Sequence, residues 1–228
     1  MHRHVLGPAT AAWCVAAFAL LGTWAPARGA EPTATPSGIE GMPGAGREDV
    51  VRALRKVHHK YGEHAVQIET QLLVNAMRNG SLRATAVRVE GVKPYRDKSY
   101  LGFDVETGLV FDTTTRDERT RIEMLWTTIL VPTLERLTEL RLPADGIRVA
   151  LHYHHRPYRS LAELRASIDE PGTPEETDFY VLTPDVSDLV YHRLTPHTLI
   201  ARTQVTVDGG ERVLAALAPD VPTAPGPE

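Results

Sequence analysis

The sequence predicts an α+β domain: an antiparallel β-meander packed by a long amphipathic helix, closed by a C-terminal helix and β-hairpin. Three observations carry that expectation. Apolar residues recur at helical spacing over 48–61 and 115–140, and alternate at strand spacing over 66–74 and 147–154. The dipeptides Asn79-Gly80 and Asp208-Gly209 supply hairpin turns.

The first helix is expected from Glu48 to Tyr61, with Val50, Leu54, Val57 and Tyr61 on one stripe. Glu48 and Asp49 at its start and Lys60 near its end suit the helix dipole, and Gly62 is a natural stop. Val66, Ile68, Thr70, Leu72 and Val74 alternate with Gln67, Glu69 and Gln71, which reads as a strand with one wet face. Asn79-Gly80 would return it, pairing Leu72 with Val87. A second hairpin is expected around Gly108, pairing Val105 with Leu109 and Phe103 with Phe111. Residues 66–112 thus read as a four-stranded meander.

The long helix follows, with Ile122, Leu125, Trp126, Ile129, Thr133, Leu137 and Leu140 as its apolar stripe. Pro132 inside the pattern should kink or split it. After Asp145-Gly146, a strand from Ile147 to His154 points Ile147, Val149, Leu151 and Tyr153 one way and Arg148, Ala150, His152 and His154 the other. Ser160 and Glu163 form a capping box for a short helix. A short strand over Phe179–Leu182, a helix capped by Thr183-Pro184, and a hairpin with alternating Leu199, Ala201, Thr203, Val205 and Val207 complete the domain.

Around this domain, residues 1–27 read as a signal peptide. Arg3 precedes an apolar run from Ala11 to Leu21, too short to span a bilayer, and Ala25-x-Ala27 is a small-residue cleavage site. Residues 28–46 read as a Pro/Gly-rich linker, 47–217 as the domain and 218–228 as a disordered Pro-rich tail. The expected address is outside the cytoplasm: the periplasm first, full secretion second. No stable membrane insertion is expected after cleavage.

Cys14 is the only cysteine and lies within the signal sequence, so the mature chain has no disulfide, thiolate metal site or cysteine nucleophile. Arg3 is the only Lys or Arg in residues 1–27, and no Asp or Glu falls there, so the remainder carries 24 basic and 29 acidic residues. An acidic excess argues against nucleic acid as a partner. HExxH, GxSxG, P-loop and GxGxxG patterns are all missing from the sequence.

The 147–154 strand is where chemistry is most concentrated. His152 and His154 project to one face about 7 Å apart, a spacing that lets two imidazoles share a cation such as Zn or Cu. His155 joins them only if the strand ends there. Arg148, Arg156 and Arg159 gather positive potential that could dock a small anionic ligand. The expectation is an exported binding or accessory protein without catalytic activity, meeting an envelope protein or such an anion. The alternative is a metal-dependent hydrolase centred on the histidines.

Overall fold

The structure is a computed structural model that describes residues 44–79, 86–138, 140–158 and 172–212, all within one compact unit, Ala34–Glu228. Two helices lead: α1 (Gly44–Tyr61) and α2 (Glu63–Arg78), separated by Gly62 at φ +87°. A hairpin of β1 (Val87–Tyr95) and β2 (Lys98–Asp112) follows. Next, α3 (Glu118–Leu125) runs through a π-turn (Trp126–Leu130) into α4 (Val131–Leu134). The chain continues as β3 (Gly146–Arg156), β4 (Thr173–Leu182), α5 (Thr183–Val190), α6 (Pro196–Arg202), β5 (Gln204–Val207) and β6 (Gly210–Arg212).

The class is α+β, with six strands in the order β1-β2-β3-β4-β5-β6. All neighbours are antiparallel except β2 and β3, which are parallel and joined through α3 and α4. A parallel pair needs a crossover, and the long helix is that crossover. It lays Ile122, Leu125, Trp126 and Ile129 on the core, each at most 3% exposed, with the Trp126 and Phe179 rings 5.7 Å apart. The sheet answers with Phe103, Val105, Val149, Leu151, Phe179 and Val205.

Three local expectations are corrected. The stretch 66–74 is not a strand: it lies in α2, where Ala65, Ile68, Leu72, Leu73 and Ala76 are buried at helical spacing. This helix also buries Glu69, Thr70 and Asn75, so its exposed residues do not mark out one polar face. Asn79 is therefore not a hairpin turn but the C-cap of α2. Its Nδ2 donates to the carbonyl of Asn75 at 2.8 Å and to that of Thr128 at 3.3 Å. Thr128 stands four residues before Pro132, whose missing N–H cannot serve that carbonyl. The proline is accommodated by the π-turn and by this borrowed donor.

The second correction concerns Gly108, which turns nothing. It sits within β2 at φ +67°, where the β2–β3 register slips between Glu106 and Val110. Thr107 Oγ1 accepts from the Leu109 amide and donates to the His152 carbonyl, holding the bulge to β3. The true turn is at Arg96-Asp97, with Arg96 at φ +53°. Third, the C-terminal hairpin starts late. Thr195 Oγ1 caps α6 by accepting from the Thr198 amide, so only Gln204–Val207 remains for β5, and Asp208-Gly209 turns as expected. At α5, Thr183 makes no side-chain cap. The linker's last residues, 44–46, belong to α1. The signal peptide, the rest of the linker, the Ser160 helix and the Pro-rich tail lie outside the described residues.

Candidate functional site: a charged cleft on the open face of the sheet

Strand alternation sends one set of side chains to the helices and the other to the opposite, open face. On that open face, register aligns Gly102, Arg148, Tyr180 and Gln204 across β2–β5, then Asp104, Ala150, Asp178 and Thr206, then Glu106, His152 and Glu176. Positions far apart in sequence thereby become a single surface.

The surface is curled. In a flat sheet β1 and β4 lie roughly 14 Å apart, and β1 and β6 roughly 24 Å. Yet the rings of Tyr95 on β1 and Tyr180 on β4 stack with centroids 3.9 Å apart. Tyr95 Oη and Arg96 Nη2 reach Glu211 of β6 at 2.9 and 2.8 Å. The cause sits in β1, where Glu90 is an extra residue between the pairs Val89–Phe103 and Gly91–Gly102, with Gly91 at φ +101°. Such a bulge bends a strand and raises its twist.

The trough holds a cleft of about 350 Å³. Tyr95, Tyr100 and Tyr180 wall one end, with Tyr100 packed edge-on against both stacked rings. Asp104, His152 and Glu176 wall the other end. Arg148 lies between, with Glu90 and Lys93 at the rim. Gly102 lies on the open face between Tyr100 and Asp104, and a Cβ there would stand 3.4 Å from the Cβ of Glu90.

Arg148 is enclosed by carboxylates. Its Nη1 is 2.6 Å from Glu90 Oε2, and its Nη2 is 2.9 Å from Glu176 Oε1 and 2.6 Å from Asp178 Oδ1. Thr206 Oγ1 donates to the other Asp178 oxygen at 2.9 Å. His152 is clamped in turn: Nε2 lies 2.8 Å from Asp104 Oδ1 and Nδ1 lies 3.7 Å from Glu176 Oε2. Arg88 takes the second Asp104 oxygen at 2.6 Å. The hydrogen bond to His152 holds the Asp104 carboxyl down at about 2, and the same bond raises the His152 imidazole above its ordinary value. Burial, then the neighbouring Asp178 carboxylate, pushes Glu176 up.

Of the residues singled out in the sequence, the structure brings Arg148 and His152 together. Arg156 lies eight residues along β3, roughly 26 Å away at strand rise. There its Nε donates to Tyr158 Oη at 2.7 Å and its guanidinium lies over the Tyr158 ring. Arg159 is outside the described residues. His154 shares the open face with His152 but registers with Val110 and Pro174, beyond the cleft. His155 faces the other way, because β3 continues through Arg156. Among the described residues, no group of three or more His, Asp or Glu is placed to hold a metal ion.

Sequence reasoning missed Asp104, Glu90, Glu176, Asp178 and the three tyrosines. Their only signal is register across four strands, which no local pattern carries. No protein-family model, curated protein or solved structure matches the chain.

Proposed function

We propose that the mature chain is an exported binding module without catalytic activity, and that the cleft on the open face is its recognition site. One observation carries this reading: the face of the sheet away from the helices forms a cleft of about 350 Å³ lined from four strands. That volume is at the lower end of small-molecule sites, which run from about 300 to 1,000 Å³. The signal-peptide pattern at residues 1–27 supports export. The reading without catalysis rests on the sequence, which carries no HExxH, GxSxG, P-loop or GxGxxG pattern. Arg148 has its charge met within the protein, so the anion-docking role expected from the sequence is not the one favoured here.

The test is retention. The mature domain is incubated with a cell-envelope extract and washed, and whatever it releases on heating is identified by mass spectrometry. A compound retained by the wild type and lost in Gly102→Val, which crowds the lining residue Glu90, supports the reading. Equal retention by both proteins, or none by either, overturns it.

A further inference from the structure

The charged groups in and around the cleft are paired with one another. Lys93 is 2.7 Å from Glu90, and Arg88 is 2.6 Å from Asp104. Arg148 is held by Glu176 and Asp178 as well as Glu90. His152, whose imidazolium form is favoured by its bond to Asp104, completes the set. Glu90, Asp104, Glu176 and Asp178 thus each lie against at least one of Lys93, Arg88, Arg148 and His152.

A charged ligand would have to break one of these pairs and pay for the stranded partner, since an uncompensated charge in a partly buried site is costly. An uncharged ligand with many hydroxyls breaks nothing. Carboxylates in ion pairs keep spare lone pairs, and a guanidinium has five N–H donors in all. The tyrosine wall adds apolar surface of the kind that packs against the C–H side of a ring.

Resting on the reading of the cleft as a recognition site, we infer that it takes an uncharged, hydroxyl-rich molecule of about the size of a sugar ring. Tyr95, Tyr100 and Tyr180 line one end, and the paired charges serve as a fixed array of donors and acceptors. The same pairing sets specificity. Because each charged group is already paired, selection among hydroxylated molecules falls to the directions of the fixed hydrogen-bonding groups.

The experiment uses the isotope-labelled mature domain and follows amide resonances of Gly102, Asp104 and His152 by NMR. The probes are glucose, N-acetylglucosamine, choline and lactate, each at low salt and again at high salt. At least one of the two sugars should shift the cleft resonances, with affinity changing less than about twofold between the two salt conditions, because screening acts on charge. Gly102→Val should weaken that sugar by about tenfold or more. Glu176→Gln keeps the size of that side chain and removes one negative charge facing Arg148 and His152, so it should gain a response to lactate that the wild type lacks. Tighter binding of choline or lactate than of both sugars by the wild type overturns the inference and leaves the recognition site standing. If none of the four probes moves the cleft resonances, the inference falls. If the envelope extract also moves none, the recognition site falls with it.

Discussion

Glu175 and Glu176 are neighbours in β4, and each holds an arginine, but on opposite faces of the sheet. Glu175 turns toward the helices and meets Arg121 of α3 through three contacts of 2.9–3.1 Å, with both residues less than a tenth exposed. Glu176 turns to the open face and shares Arg148 with Glu90 and Asp178. The first pair is a lock between the crossover helix and the sheet. The second is part of an array around a cleft open to solvent. The residue types are alike, and the difference lies in what covers them.

The comparison breaks most visibly at Arg121. Replacing it with alanine strands the Glu175 carboxylate in a dry site and should cost about 3–5 kcal/mol, read as a lower urea midpoint. Replacing both Arg121 and Glu175 with methionine should recover most of that loss, since no unpaired charge remains.

Glu69 sharpens the same point by having no arginine at all. It is 5% exposed on α2, and its Oε2 has no hydrogen-bond partner among the described residues. Burial pushes its carboxyl up to about 7. The folded state then holds this proton more tightly than the unfolded chain does. The resulting stability is complete below the ordinary Glu value of 4.5 and is lost as pH rises through about 7. Glu69→Gln should therefore be the more stable protein at pH 8 by on the order of 3 kcal/mol, and nearly equal to the wild type at pH 4. Denaturant melts of both proteins across that range check the sign and the slope.

The smallest effect belongs to the open face. His152→Gln should cost roughly 1 kcal/mol near pH 6, because the site is partly solvated. The imidazole is raised above 6.5, so its contribution is present below that value and fades as pH climbs through the raised one. Asp104, held at about 2, contributes above its ordinary 3.8 and loses the contribution only as pH falls toward 2. The stability difference between wild type and His152→Gln should thus be largest near pH 5–6 and shrink as pH rises past 6.5, with the His152 ring titration followed by NMR.

Where side chains report a single burial direction, the sequence was readable. Ile122, Leu125, Trp126, Ile129 and Thr133 of the helix and the alternation of Ile147, Val149, Leu151 and Tyr153 are buried as expected, but the helix ends at Leu134, short of Leu137 and Leu140. α2 was misread because Glu69, Thr70 and Asn75 are buried too, and a helix covered on several sides loses its polar face. Gly108 was misread because a bulge and a turn ask for the same positive φ. The site was half legible. Arg148 and His152 share one strand and could be seen together, but Asp104 lies 48 residues from His152 and joins it only through the parallel pairing of β2 with β3.

That pairing governs when the cleft comes into being. Its walls belong to β1, β2, β3 and β4, so neither hairpin-forming segment nor helix carries a usable fragment of it. The anchor of its outer wall is later still: the Arg96–Glu211 contact closes a separation of 115 residues. Closing so long a loop is entropically costly and is recovered only once the intervening strands are in place. A chain shortened before β6 would keep every group that lines the cleft and lose the tether that holds Tyr95 and Arg96 over it. The cleft is thus a property of the chain through β6, tethered at Glu211.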